Sequence, residues 1–377
     1  MSHPEHGFHT RAIHAGESAD PATGAHGTPI YQNTTFALGT MDRFDTFWAG
    51  EDGVFGYSRD HNPTVWHLEQ KIANLEGAAG TVATSSGMAA ISSTLLTIAA
   101  GGHVVAASEI YNTANKLVNE DLPTHNIRFT RVDTTDLAAV EAACEADTRA
   151  IYTECFSNPN LIVADLPALA DIAHRHGALL IIDNTFLSPA ILRPIELGAD
   201  LVIHSATKYL AGHGEVIGGV VSGNSELIDS LRKKINRLGG TLSAMSAWLI
   251  MTGIKTLPLR IERHSRNAMA VATFLASHPM VESIRYPGLP DDSGHPTATR
   301  LLGSHGLYGG MMSMTLRDGA NAIGPFAEAL QLVTFATSLG DTSSLAWPIH
   351  NTDVVRLSIG LEDLDDILED LDQALGG

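Results

Sequence analysis

DLVIHSATKYLAGHGEVIGGVV, residues 200–221, sets an apolar run against a lysine and a glycine-rich turn. Lys208 is one of six lysines in a chain of 377 residues. It follows the run DLVIHS (200–205), which reads as a buried strand. A lysine beside buried apolar sequence does not stay a hydrated ammonium at low cost. Its pKa falls, or it forms a covalent imine, and Schiff-base chemistry needs such a lysine. A lysine snorkelling out of a loop fits the position alone equally well.

Upstream, from about 80 to 220, short β-rich runs alternate with helical stretches. The other runs are TVATS (81–85), HVVAAS (103–108), IRFTRVD (127–133), AIYTECF (150–156) and ALLIID (178–183). Helical stretches fall at 87–99, 135–146, 165–176 and 189–197. This alternation predicts an α/β fold, with a parallel or mixed sheet covered on both faces. Ligands then sit at the carboxyl ends of the strands, where Asp183 and Ser205 lie. Before this region, Asn62-Pro63-Thr64 signals a helix start, and Val65, Leu68, Ile72 and Leu75 share one helical face. Residues 1–60 show little periodicity and are expected to form an extended arm packed on another subunit. Downstream, a helical stretch at 243–278 places Trp248, Leu249, Met251 and Ile254 in the core. The runs VESIRY (281–286), GGMMSMTL (309–316) and VVRLSIG (354–360) and an acidic helix from Glu362 complete the chain. The expected division is an arm at 1–60, a ligand-binding domain at 61–250 and a smaller α+β domain at 251–377.

Composition narrows the partners. Lys and Arg total 23 against 42 Asp and Glu, a formal charge of −19, which argues against nucleic acid or an anionic membrane. Two cysteines, Cys144 and Cys155, make no disulfide framework. No signal peptide and no apolar run long enough for a membrane span is read, so the cytoplasm is the expected location. His3, His6 and His9 are spaced like weak metal ligands, but no cysteine or carboxylate cluster joins them. They read as a solvated terminus, and no metal is expected.

The surroundings of Lys208 sharpen its reading. Ser205 and Thr207 flank it with hydroxyls. SSGMAAI (85–91) follows a strand and opens a helix, and Gly87 lets backbone N–H groups approach an anion at the positive helix end. SSG alone is usually a turn; with the hydroxyls it makes a phosphate cup. Asp183 ends an apolar run, where a carboxylate needs a cation or donors. A pyridinium nitrogen is one such partner; capping the next helix is the common alternative. Tyr111 could lay its ring on a flat heterocycle or simply pack. A lysine, an acid, a phosphate cup and an aromatic together describe pyridoxal 5′-phosphate (PLP). No dinucleotide fingerprint or P-loop competes.

With these residues the chain resembles the transsulfuration, or Cys/Met-metabolism, family of PLP enzymes. The motifs are TRAIHAG (10–16), PIYQNTTF (29–36), YSRDHNPT (57–64), SSGMAAI, DNTF (183–186), LGADLVIHSATKYLAGHG (197–214), GIKTLPLR (253–260), YPGL (286–289), SLGD (338–341) and VRLSIGLED (355–363). The resemblance implies the aspartate aminotransferase-like fold of type I PLP enzymes. It implies that Lys208 holds the cofactor as an imine and moves protons, and that Asp183 holds the pyridine nitrogen. Gly87, Met88, Ser205 and Thr207 would bind the phosphate. Tyr57 and Arg59 would reach the phosphate of a neighbouring subunit, giving a dimer usually paired into a tetramer. Tyr111 would stack on the ring and assist the leaving group. Arg356, with Ser338 and Asn158, would grip the substrate carboxylate, for which an arginine fork is suited.

The departures are YNTAN (111–115), with Thr113 where methionine γ-lyases place a cysteine, Ser343 for a glutamate, Thr252 for an arginine, Glu215 for an aspartate and a short segment between Pro348 and Val354. The implied activity is γ-elimination from an amino acid of the methionine, cystathionine or homocysteine type. Alternatives are γ-replacement on an O-acylhomoserine, or a γ-lyase with a non-sulfur substrate such as canavanine. A non-catalytic module of the same fold is disfavoured because Lys208, Asp183 and Arg356 are all present.

Overall fold

The computed structural model describes residues 6–50 and 53–377. His3 lies outside them, and His9 faces Glu262 at 3.5 Å. Two short helices, α1 (Phe8–His14) and α2 (Met41–Ala49), interrupt the arm that the sequence suggested would be extended. The signal for α2 was present. Thr40 caps it through its hydroxyl, Gly50 ends it in the left-handed conformation, and Met41, Phe44 and Trp48 recur at helical spacing. α3 (Pro63–Glu76) starts where expected, with the Asn62 side chain accepting from the Thr64 N–H.

The larger sheet has seven strands: β1 (Gly80–Thr84), β2 (His103–Ala107), β3 (Arg128–Val132), β4 (Thr148–Glu154), β5 (Leu179–Asp183), β6 (Leu201–His204) and β7 (Gly219–Gly223). Their order is β1-β7-β6-β5-β4-β2-β3. β7 runs antiparallel between β1 and β6, and the remaining pairings are parallel. β1 lies at the edge of the sheet with β7 as its one strand neighbour, apart from an isolated bridge between Thr84 and Thr241. The helices between the strands are α4 (Gly87–Ile98), α5 (Asn112–Lys116), α6 (Leu137–Ala142) and α7 (Leu166–Arg175). α6 is half the expected length, and the stretch 189–197 supplies only a 3₁₀ turn at Pro194–Leu197.

Side chains alternate across this sheet with period two, so each strand feeds two cores. Val104, Tyr152, Ile181 and Ile203 pack with Ile91 and Leu95 of α4. Val105, Ile151, Ile182 and Val202 pack on the other side with Leu68 and Ile72 of α3 and Leu169 of α7.

Beyond β7 come α8 (Ser225–Leu238), α9 (Ala244–Ile254) and α10 (Leu257–Ser277). The expected single helical stretch breaks at Lys255–Thr256, where Pro258 enters the first turn of α10 and cannot continue a helix. Trp248 is 36% exposed rather than in the core, while Met251 and Ile254 are buried. The chain closes with β8 (Val281–Arg285), α11 (His295–Leu302), β9 (Met311–Leu316), α12 (Ala320–Ala329), β10 (Thr334–Phe335), β11 (Leu345–Pro348), β12 (Val354–Ser358) and α13 (Leu364–Ala374). These strands form a second sheet in the order β10-β11-β12-β9-β8. The expected boundary at residue 251 falls inside α9.

One buried cluster ties the arm to the body. Lys71 of α3 is fully buried and donates to the carbonyls of Ala12 and Ile13. Its Nζ also lies 3.0 Å from Glu17, whose other oxygen lies 3.0 Å from Lys255.

Candidate active site

The carboxyl ends of β4, β5 and β6 open onto a cavity of about 250 Å³. Its wall includes Gly87, Met88, Tyr111, Asn158, Asp183, Ser205, Thr207, Lys208, Ser338 and Arg356. Ten residues singled out in the sequence, separated by up to 269 positions, thus meet in one place.

Lys208 stands in a loop closed by reciprocal bonds. The Thr207 N–H donates to the Gly218 carbonyl, and the Gly218 N–H donates to Thr207 Oγ1. The Thr207 hydroxyl also donates to the Gly218 carbonyl at 3.2 Å, so in this chain it fastens the loop. Below the loop, the buried Arg260 donates to the Tyr209 carbonyl at 2.9 Å. Lys208 Nζ donates to Ser338 Oγ at 2.8 Å. Burial, then the nearby Arg356 guanidinium, lower its pKa to about 8. The amine is therefore available as a base and a nucleophile near neutrality.

Asp183 ends β5 and is buried, which raises its pKa; its bonds from Thr185 act the other way. Oδ1 accepts from the Thr185 N–H at 3.0 Å and from its hydroxyl at 2.5 Å. Oδ2 has no donor among the described residues, although Asp183 forms part of the cavity wall. That open oxygen suits a cationic ring N–H. Thr185 also accepts from the Ser205 N–H, which couples the strand ends of β5 and β6.

The anion cup lies at the start of α4. Ser86 caps the helix by accepting from the Ala89 N–H, and the Gly87 and Met88 N–H groups have no intrahelical acceptor. A Cβ on Gly87 would stand 2.8 Å from Ser205 Cβ and 2.9 Å from its Oγ, so only glycine permits this approach. The cup accordingly fits a phosphate held by backbone N–H groups and one hydroxyl.

Arg356 on β12 is buried. Its two terminal nitrogens donate to Asn158 Oδ1 at 3.0 Å and the Ser338 carbonyl at 2.9 Å. Ser338 holds φ at +93°, an uncommon conformation for serine, and so turns its carbonyl to Arg356 and its hydroxyl to Lys208. Tyr111 is 42% exposed at the rim.

Two expected residues lie apart. Within this chain Tyr57 and Arg59 do not line the cavity; the Arg59 guanidinium stacks on the Tyr57 ring at 5.1 Å. None of the departures at Thr113, Glu215, Thr252 and Ser343 lines the cavity either. The short segment after Pro348 is a tight hairpin turn closed by Ile349 and Val354. The sequence reading missed Glu154, Phe156, Thr185, Phe186, Ile217 and Thr337 in the wall. Glu154 carried the same signal as Asp183, a carboxylate closing an apolar strand.

An amine held near neutrality, within one hydroxyl of a guanidinium fork, serves an enzyme that acts on amino acids. The open carboxylate oxygen and the anion cup add room for a phosphorylated ring cofactor. The sequence profile of the Cys/Met metabolism PLP-dependent enzymes matches residues 9–352, and the chain belongs to that family. It is 42% identical to the L-methionine γ-lyase of Pseudomonas putida, covering 98% of this chain and 97% of that protein. Identity to the cystathionine γ-synthase of Mycobacterium bovis is 41%, covering 97% and 96%. The crystal structure of cystathionine γ-lyase from Lactobacillus plantarum complexed with L-serine superposes with a TM-score of 0.91 at 38% identity, covering 98% of both chains. The protein is thus a PLP-dependent enzyme of the γ-elimination and γ-replacement kind. No helix among the described residues is long and apolar enough to cross a membrane.

Proposed function

We propose that this enzyme is a γ-lyase for a sulfur-containing amino acid of the methionine, cystathionine or homocysteine type. The observation that carries the reading is the linkage of Lys208 Nζ, Ser338 and Arg356. A substrate carboxylate on Arg356 brings its α-carbon toward the amine. Asp183, Gly87, Met88 and Ser205 would hold the cofactor, with Thr207 keeping the lysine loop in place. When bound, pyridoxal phosphate supplies an electron sink for charge released at the α-carbon. Lys208 would take the α-proton and then a β-proton, so that the γ-substituent can leave with its electron pair and be protonated as the free thiol, before protons return to the carbon chain. Tyr111, at the rim, would stack on the ring and assist the departing group. Asn158 and Ser338 orient Arg356.

Tyr57 and Arg59 serve a neighbouring copy's phosphate in this reading, and the working unit is a homodimer, paired into a tetramer in the cytoplasm. The chain then divides into an intersubunit arm at 1–60, a cofactor domain at 61–250 and a C-terminal domain at 251–377. Similarity to a cystathionine γ-synthase favours γ-replacement on an O-acylhomoserine as the second reading. The test is product identification after incubation with methionine, cystathionine, O-acetylhomoserine plus sulfide, and canavanine. 2-Oxobutanoate from methionine or cystathionine is expected. Homocysteine formed only with added sulfide, or homoserine from canavanine, would replace this reading.

A further inference from the structure

β4 ends on Glu154, in register with Asp183 at the end of β5. Parallel strands place paired side chains on one face, so two carboxylates stand side by side under the cavity. Glu154 is 6% exposed. Its Oε1 accepts from the Tyr111 N–H at 2.6 Å, and its Oε2 accepts from the Asn158 N–H at 2.9 Å. Tyr111 follows β2 and precedes α5; Asn158 follows β4. The bonds therefore reach two different loops, and each ends on a residue whose side chain lines the cavity. From Asn158 the connection continues through Oδ1 to Arg356.

We propose that Glu154 is a positioning residue that fixes Tyr111 and the Asn158–Arg356 pair relative to each other, across the cofactor site. An ionised carboxylate is the side chain that accepts at both ends, since it carries acceptors only. Burial, then the charge of Asp183, push the Glu154 pKa well above the ordinary carboxylate value; the two backbone donors act against that shift, and the ionised form is assigned from the geometry, an N–H donor on each oxygen. A glutamine in its place would set an NH₂ donor against one of the two N–H groups, and that loop would shift. Each Glu154 oxygen is engaged by a backbone donor, so the residue acts through the loops it holds. The role rests on the functions proposed above for Tyr111, Asn158 and Arg356.

Glu154→Gln is compared with Tyr111→Phe, Asn158→Ala, the double variant of these two and the triple variant, all as holoenzymes. Cofactor occupancy is read from absorbance. Amino-acid binding is read by spectral titration with L-alanine, which has no γ-carbon and needs no assumption about the leaving group. For E154Q, occupancy is expected to stay near wild type, while alanine affinity and kcat each fall roughly tenfold. Because the residues act as a unit, adding E154Q to Tyr111→Phe plus Asn158→Ala should cost less than about twofold more. Glu154→Asp keeps the charge but is one methylene too short to span both loops. It should lose alanine affinity in the same direction, and it carries the test if E154Q fails to fold. Wild-type alanine affinity and kcat in either Glu154 variant would overturn the proposal, as would full additivity in the triple variant. Loss of cofactor in step with activity would also overturn it, because Glu154 would then be a cofactor or folding residue. Wild-type behaviour of both Tyr111→Phe and Asn158→Ala would instead fault the site reading beneath it.

Discussion

Lys208 illustrates how a residue's function is set against stability. Its folded pKa of about 8 lies below the ordinary lysine value of 10.5, so the unfolded chain binds the proton more tightly. The fold bears this cost fully below about pH 8, and the cost fades as pH rises toward the unfolded value. Lys208→Met keeps the length and removes the charge. Cofactor-free K208M is therefore expected to be more stable than wild type at pH 7, by roughly 2–3 kcal/mol. The difference should shrink toward zero near pH 10.5. Denaturant melts of the two proteins across this range check it; equal stability at pH 7 would remove the argument that burial activates the amine. The variant should also lose the absorbance of the imine-bound cofactor and all turnover, because no other lysine lines the cavity.

Among the elements, the arm depends on its buried charges. Glu17 holds Lys71 and Lys255 together, and Lys71 in turn holds the last carbonyls of α1. Opposed pairing with the lysines outweighs burial and keeps the Glu17 pKa below its ordinary value. The stability this brings is present above the unfolded pKa and is lost as pH falls through the folded one. Glu17→Gln leaves Lys71 charged and buried without its counter-ion, at a cost of about 3 kcal/mol. The measurements are urea unfolding at pH 7 and protease cleavage within residues 6–36. A stability change below about 0.5 kcal/mol, in the range of a surface substitution, would show that the cluster does not secure the arm.

Nine of the twelve strands were legible to within about two residues, because apolar β-rich runs report burial directly; β7, β10 and β11 were not read. Asp183 and Lys208 were legible for the converse reason, as charges where burial makes charges costly. α2 was overlooked since it buries none of its residues, so its spacing lacked the solid apolar face of α3. Glu154 showed the strand-end signal of Asp183, but its role was not legible, because its donors lie 43 and 4 positions away and are backbone groups, which leave no trace in composition. Trp248 misled because size and hydrophobicity do not reveal whether a helix face meets its own chain.

For the whole molecule, several large apolar side chains of the arm and of α9 and α10 remain exposed within one chain. Trp48, Tyr57, Met245 and Leu259 are between 38% and 70% exposed. In the proposed dimer each site takes Lys208 from one subunit and Arg59 from the other. Arg59→Ala and Lys208→Ala subunits, each inactive alone, should regain activity when unfolded together and refolded as a mixture. Random pairing restores one site in each mixed dimer, hence about a quarter of the wild-type sites. Titration of activity against mixing ratio measures this. No recovery, with mixed dimers present, would place Arg59 and Lys208 in the same subunit's site.

The place of β7 also sets a timetable. β1 has no neighbour in the sheet except β7, and β7 is made far later. At ordinary rates of synthesis, roughly 10–30 s separate the two strands. During that interval Gly80–Thr84 emerges from the ribosome as an unpaired apolar edge, with the backbone groups that would template a wrong partner. Nascent chains that stop before Gly219 should therefore aggregate or bind chaperones, and those extending past Gly223 should be released from both.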